Sequence, residues 1–175
     1  NPFVEMIANL PEDQKPKTAA YAIQDDPFAA PVIASMQEQL EAMGIETVYS
    51  EMYPPETTNF QPIASAIANA KPDLIAQGAV FEDGVNLSKS FQQVGYSPKI
   101  FFQTSAPSNG DQYTDGVGIG NEEGVFYAVS WSEKAKTPGN AEFLATYEAL
   151  NPGAGVPAED AADAYAAAEV LAAAV

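Results

Sequence analysis

Apolar residues along this chain follow two patterns that take turns. Short unbroken apolar runs read as buried strands, and stripes at spacings of three and four read as amphipathic helices. Residues 18–23 form the first run, closed by Gln24-Asp25-Asp26-Pro27. Ile33, Met36, Leu40 and Met43 make a helical stripe that Gly44 ends. Pro27 and Pro31 both lie near its start and leave the first helical residue open. Residues 45–51 predict a second strand, followed by a loop at Pro54-Pro55. Phe60, Ile63 and Ile67 form the next stripe, which stops at Lys71-Pro72-Asp73 because a residue before proline resists the helical conformation. Residues 74–77 predict a third strand, residues 78–83 a loop, and Leu87, Phe91 and Val94 a helix ended by Gly95. A fourth strand is expected at 100–104, a polar, glycine-bearing loop at 106–121, and a fifth strand at 125–129.

This alternation predicts an α/β fold: a three-layer arrangement with a parallel sheet flanked on both faces by helices. The ends differ. Phe3, Val4 and Ile7 read as the tail of a helix before Pro11. After Trp131 come two helical patterns with no strand between them. One opens at Thr137-Pro138 and carries Phe143, Tyr147 and Leu150. The other carries Ala164, Ala168, Leu171 and Val175, and stops on an apolar residue without a cap or basic last turn. That pattern predicts a fragment: one complete α/β unit plus helices that belong against a second, missing sheet. The alternative is that these helices pack on the α/β unit itself.

Composition narrows the chemistry. Of 175 residues, seven are Lys or Arg and twenty-four Asp or Glu, for a net charge of −17, and there is no His and no Cys. A serine–histidine triad, a cysteine nucleophile, the usual zinc site and a disulfide are therefore excluded. So acidic a surface repels phosphate backbones and anionic headgroups, which makes nucleic acid and membrane surfaces poor partners. No apolar run reaches the ~20 residues of a membrane span.

In an open parallel sheet, ligands bind beyond the carboxyl ends of the strands. The loops expected there are 24–28, 79–83 and 103–108. They offer Phe28 and Phe81 as stacking surfaces, Thr104 and Ser105 as hydroxyls, and Asp25, Asp26, Glu82 and Asp83 as charge. This is a small-molecule palette. The plainer reading makes the phenylalanines core-edge residues and the acids a hydrated loop. Other motifs fail on spacing or context. Gly116-Val-Gly118-Ile-Gly120 with Gly124 is one residue too long for a dinucleotide loop and precedes a strand. Residues 111–122 approach a calcium loop, but Tyr113 stands where Asp or Asn should. Asn86-Leu-Ser88 is a sequon inside a predicted helix. Adjacent acids such as Asp25/Asp26 could in principle do acid–base work. No metal site or cofactor is expected.

Lys17-Thr-Ala-Ala-Tyr-Ala-Ile-Gln-Asp-Asp-Pro-Phe28 resembles the opening of the second lobe of periplasmic binding proteins for branched-chain amino acids, the substrate-binding subunits of ATP-driven importers. Asn59-Phe-Gln-Pro, Lys71-Pro-Asp-Leu-Ile, Gly78, Ser90-Phe-Gln-Gln-Val-Gly95 and Asp160-Ala-Ala-Asp-Ala-Tyr165 match the same family in order and spacing.

The resemblance implies two α/β lobes of the type I periplasmic binding fold, each flavodoxin-like, with a ligand trapped between them and no catalysis. Residues 17–128 would form the second lobe. Residues 1–16 and 129–175 would belong to the first, incomplete here. Phe28 would line the cleft, and Val80, with Phe81 beside it, would offer the loop after the third strand. Ser105 stands where the family's amino-acid binders place an acid for the ligand ammonium. A hydroxyl cannot neutralise that charge. Glu82 or Asp83 would then substitute, or the solute is another small carboxylate. The implied ligand residues are thus Phe28, Val80, Phe81, Glu82, Thr104 and Ser105. The implied partners are a small polar solute and the membrane permease of an ABC importer, and the implied location is periplasmic or extracellular, by secretion or a lipid anchor. The alternatives are a ligand-sensing receptor domain of the same fold and a small flavodoxin-like enzyme binding nucleotide or flavin.

Overall fold

A computed structural model describes residues 1–174. The chain divides into two compact units, Asn1–Ala128 and the stretch from Val129 onward.

The first unit runs α1 (Pro2–Ala8), β1 (Thr18–Gln24), α2 (Ala29–Ala42), β2 (Glu46–Tyr53), α3 (Gln61–Ala70), β3 (Leu74–Gly78), α4 (Phe81–Gln93), β4 (Ile100–Gln103), a 3-10 turn (Ala106–Asn109), α5 (Asp111–Val117) and β5 (Val125–Phe126). The strands form one parallel sheet in the order β2-β1-β3-β4-β5. β1 and β3 are central and buried on both faces, which is why they read as unbroken apolar runs. Ala19, Tyr21, Ile23, Leu74, Ala76 and Phe102 meet α1 and α2 on one face. Ala20, Ala22, Ile75 and Phe101 meet Ile63, Ile67, Leu87 and Phe91 on the other. Phe3, Val4 and Ile7 of α1 are buried in the first of these cores, so residues before β1 pack into this unit.

Three local expectations change. The loop expected at 78–83 is shorter, because α4 starts at Phe81 with Glu82 and Asp83 in its first turn. Acids there complement the helix dipole, and that favours early helix over loop. The stretch 106–121 is partly helical, since Tyr113 and Val117 lie one turn apart and bury one stripe against Val85 and Ala106. β5 is cut to two residues because it pairs only with β4, at Phe101 and Phe102. The stop before Pro72 is as read: Lys71 turns left-handed at φ 51° and ends α3.

Asp73 ties the amino ends of three strands. Its Oδ2 accepts from the Lys17 N–H at 2.9 Å, its Oδ1 meets Lys99 Nζ at 2.6 Å, and its own N–H donates to Thr18 Oγ1 at 3.0 Å. Lys99 first, then the Lys17 amide, hold its carboxyl below the ordinary value. The folded pKa then lies below the unfolded one. The resulting stabilisation is present above the unfolded pKa and lost as pH falls through the folded one. Asp73→Asn should lower the thermal midpoint at neutral pH and flatten its decline in acid. An unchanged acid limb would contradict this role.

The second unit carries α6 (Asn140–Leu150) and α7 (Glu159–Ala173). Trp131 and Tyr165 pack on Phe143 with ring centroids 5.5 and 5.1 Å away. Trp131 Nε1 donates to Asn140 Oδ1 at 2.7 Å, and the Asn140 amide donates to the Glu133 and Ala135 carbonyls. Leu150, Val156, Val170 and Leu171 are exposed.

Candidate functional site

β1 pairs with β2 on one side and β3 on the other, so the strand order reverses between β1 and β3. Loops leaving the carboxyl ends of those strands diverge there and open a crevice. Ile23 pairs with Gly78, which brings the ends of the two strands level. Phe28 follows β1 and is 65% exposed. Val80 follows β3 and is 42% exposed. Two large apolar side chains thus stand open at the sheet's ligand edge. Phe81 is half-buried against Val85, Ala106, Tyr113 and Val117, and Glu82 is exposed.

Thr104 and Ser105 reach this edge from β4. Thr104 Oγ1 accepts from the Ala79 N–H at 3.0 Å and donates to the Ala79 carbonyl at 2.8 Å. Ser105 Oγ donates to the same carbonyl at 3.0 Å. The loops after β3 and β4 are thus stitched together, and both hydroxyl protons point inward. What these oxygens leave for a solute is acceptor capacity.

The loop after β1 closes on itself. Asp26 Oδ1 accepts from the Phe28 and Ala29 N–H groups, each at 2.8 Å. A carboxylate therefore occupies the start of α2, where a bound phosphate would have to sit. This opposes the nucleotide and flavin reading.

Sequence reading passed over a second layer. β1, β3 and β4 carry glutamines at their carboxyl ends: Gln24, Gln77 and Gln103, all buried. Gln77 Nε2 donates to the Asp83 carbonyl at 3.1 Å and, more distantly, to the Tyr53 hydroxyl at 3.4 Å. Gln103 Nε2 donates to Gln77 Oε1 at 2.7 Å and to the Gly84 carbonyl at 2.9 Å, and its Oε1 accepts from Tyr113 at 2.7 Å. The repeat of glutamine closing apolar strands was the available signal.

Asp83, expected on a hydrated loop, is 5% exposed, and its Oδ2 has no hydrogen-bond partner among the described residues. Burial pushes its carboxyl up, the Tyr53 hydroxyl opposes this in part, and the Glu82 charge adds to it. A raised folded pKa gives stability that is full below the unfolded pKa and lost as pH rises through the folded value. Asp83→Asn should remove that loss and make the protein more stable than wild type at neutral pH. Thermal midpoints across the range above pH 4, an approximate unfolded aspartate pKa, check it. An unchanged slope would contradict burial of the charged form.

No group of three or more potential metal ligands occurs among the described residues. Residues Asp111–Val117 of the near-calcium loop are helical. No described helix is long and apolar enough to cross a membrane.

The sequence matches the model of a family described as periplasmic binding protein over residues 3–175, nearly the whole chain. The chain belongs to that family. Members are binding proteins, not enzymes, in keeping with the non-catalytic reading. No curated protein matches the sequence. Among solved structures, a leucine binding protein from Thermotoga maritima superposes with a TM-score of 0.81 at 16% identity, covering 96% of this chain and 47% of that one. A solute binding protein of an ABC transporter from R. palustris, in complex with 4-hydroxybenzoate, gives 0.74 at 19%, covering 97% and 45%. An extracellular ligand-binding receptor from Rhodopseudomonas palustris gives 0.75 at 23%, covering 97% and 47%. At these identities the likeness establishes the fold, a lobe of the type I kind. This periplasmic binding protein chain spans less than half the length of those three proteins.

Proposed function

We propose that this chain contributes one lobe of the solute-binding component of an ABC importer, acting in the periplasm or outside the cell. Residues 17–128 are read as the second lobe, with residues 1–16 moving with it because α1 shares its core. Residues from 129 onward are read as the return into the first lobe. The exposed Leu150, Val170 and Leu171 support that assignment.

The carrying observation is the rim at the β1/β3 reversal, where Phe28 and Val80 stand exposed beside the Ala79–Thr104–Ser105 stitch. Phe28, Val80, Phe81, Glu82, Thr104 and Ser105 are its proposed solute contacts. The solute is small and polar, an amino acid or another small carboxylate, and the implied partner is a membrane permease. Two lobes closing by a hinge hold the solute from both sides. One lobe supplies roughly half of those contacts, so binding to this chain alone should be far weaker than to the two-lobed parent. Isothermal titration of both with the same solute tests this, and equal affinities would refute it.

Phe28→Ala should weaken solute binding by about tenfold. Its thermal midpoint should stay near wild type, since the side chain is already exposed. A large loss of stability with binding intact would make Phe28 structural instead.

A further inference from the structure

Asn109-Gly110 joins the 3-10 turn to α5, and of the nine asparagines in the chain only Asn109 precedes a glycine. Asparagine amides are thermally labile. The usual route of loss is attack on the side-chain Cγ by the backbone nitrogen of the next residue. Glycine leaves that nitrogen uncovered because it has no Cβ. Gly110 stands at φ 54°, and a Cβ built on it would meet nothing within 4 Å. Asn109 and Gly110 are both exposed, so solvent reaches the amide and the nitrogen that would attack it. The related pairs Asp83-Gly84 and Asp115-Gly116 lie inside α4 and α5, where helical backbone keeps the glycine nitrogen away from the side chain.

Two bonds hold Asn109 in the folded turn. Its Nδ2 donates to the Ala106 carbonyl at 3.2 Å, and the Gly110 N–H donates to the Pro107 carbonyl at 3.1 Å. Bonds of a 3-10 turn have poor geometry, and this turn is only four residues long. Local opening at such a place costs far less than global unfolding.

We propose that Asn109 is a self-modification site, gated by opening of the 3-10 turn. In the opened turn the Gly110 nitrogen gives up its proton to solvent and bonds Asn109 Cγ. The Cγ–Nδ2 bond breaks, and Nδ2 takes up a proton and leaves as ammonia. The resulting imide ties the Gly110 nitrogen to both Cγ and the backbone carbonyl carbon of Asn109. Water then adds to one of these carbons and breaks its bond to nitrogen. Opening at Cγ gives aspartate, and opening at the backbone carbon gives isoaspartate, whose chain runs through Cβ and Cγ. Water is the sole co-reactant, nothing is oxidised or reduced, and both products carry a new carboxylate.

Isoaspartate adds one atom to the main chain just ahead of Gly110. The Gly110 carbonyl accepts from the Tyr113 and Thr114 N–H groups at 3.0 and 3.1 Å and so starts α5. Tyr113 donates onward to Gln103 at 2.7 Å. The longer chain therefore loosens α5 and, through Tyr113, the glutamine layer beneath the rim. The modification stands whether or not that rim holds a solute.

The chain is aged in heavy-oxygen water from mildly acidic to mildly alkaline pH, native and in urea, and mapped by peptide mass spectrometry that separates aspartate from isoaspartate. In the native chain, amide loss should be fastest at Asn109. It should rise with pH, because the deprotonated nitrogen is the nucleophile, take up heavy oxygen and give both products. Urea should speed it about tenfold, since the turn no longer has to open. Asn109→Gln, which would have to close a larger ring, should abolish the loss without moving the thermal midpoint. Asn109→Asp carries the charge without the extra atom and should melt near wild type, whereas the fractionated isoaspartate form should melt lower. Loss at another asparagine as fast as at Asn109 overturns the site. Equal rates in the native chain and in urea overturn the gating. An isoaspartate form that melts with Asn109→Asp overturns the effect on α5. The wild-type rates decide site and gating even if neither variant folds.

Discussion

Gly84→Ala should destabilise this protein by about 2 kcal/mol, although the same change in an open helix stabilises by about 1 kcal/mol. Gly84 lies in the second half of the first turn of α4 and is buried. A Cβ built on it would stand 2.2 Å from the Ala106 Cβ and 3.3 Å from the Gln103 amide. Ala106 is fully buried and is followed by Pro107, so the 3-10 turn has little freedom to retreat. Helix and turn would have to part. The Gly84 carbonyl would then loosen its bonds from Gln103 at 2.9 Å and Ser88 at 2.8 Å. Removing the opposing methyl is the decisive control: Gly84→Ala with Ala106→Gly should recover most of the loss in urea unfolding. Each change acting additively would mean that the close approach is not the cause.

That contact shows what the sequence could and could not disclose. The alternation of apolar runs and stripes was enough for the parallel sheet, because a strand buried on both faces must be apolar throughout. It was also enough to place the rim, since the βαβ order puts every strand's carboxyl end on one side. Phe28, Phe81, Thr104 and Ser105 are therefore findable as residues of those loops, whereas Val80 comes from the family resemblance. The hydrogen bonds of these loops are not. That both hydroxyls turn inward to Ala79 depends on how two loops meet in space. The helix at Asp111–Val117 was masked by its glycine and acids, and it forms because Tyr113 and Val117 have somewhere to bury. Asp83 read as one more hydrated acid beside Glu82. Only the helical start at Phe81 shows that neighbours in sequence point to different environments, one exposed and one sealed.

Gln103→Ala should cost about 4 kcal/mol, more than any single rim substitution. Gln103 is fully buried at the end of β4 and joins four elements. It donates to Gln77 of β3 and to the Gly84 carbonyl of α4, lies 3.4 Å from Ser88 Oγ, and accepts from Tyr113 of α5. Truncation leaves a cavity, strips Gln77 Oε1 of its donor and leaves the Tyr113 hydroxyl only Ser88 Oγ, 3.2 Å away. Gln103→Leu separates the two effects. It fills the space and keeps only the polar loss, so it should cost about 2 kcal/mol. Adding Tyr113→Phe to Gln103→Leu should then recover part of that, because an apolar pair replaces a buried hydroxyl left with Ser88 as its one side-chain partner. Urea unfolding of the three variants measures the series. Thr104 and Ser105 follow directly on Gln103, so the same loosening should reach the Ala79 stitch and, under the proposed function, weaken solute binding from a residue buried beneath the rim. If Gln103→Ala unfolded like wild type, the glutamines would be passengers, and the rigidity of the rim would have to come from the apolar core below it.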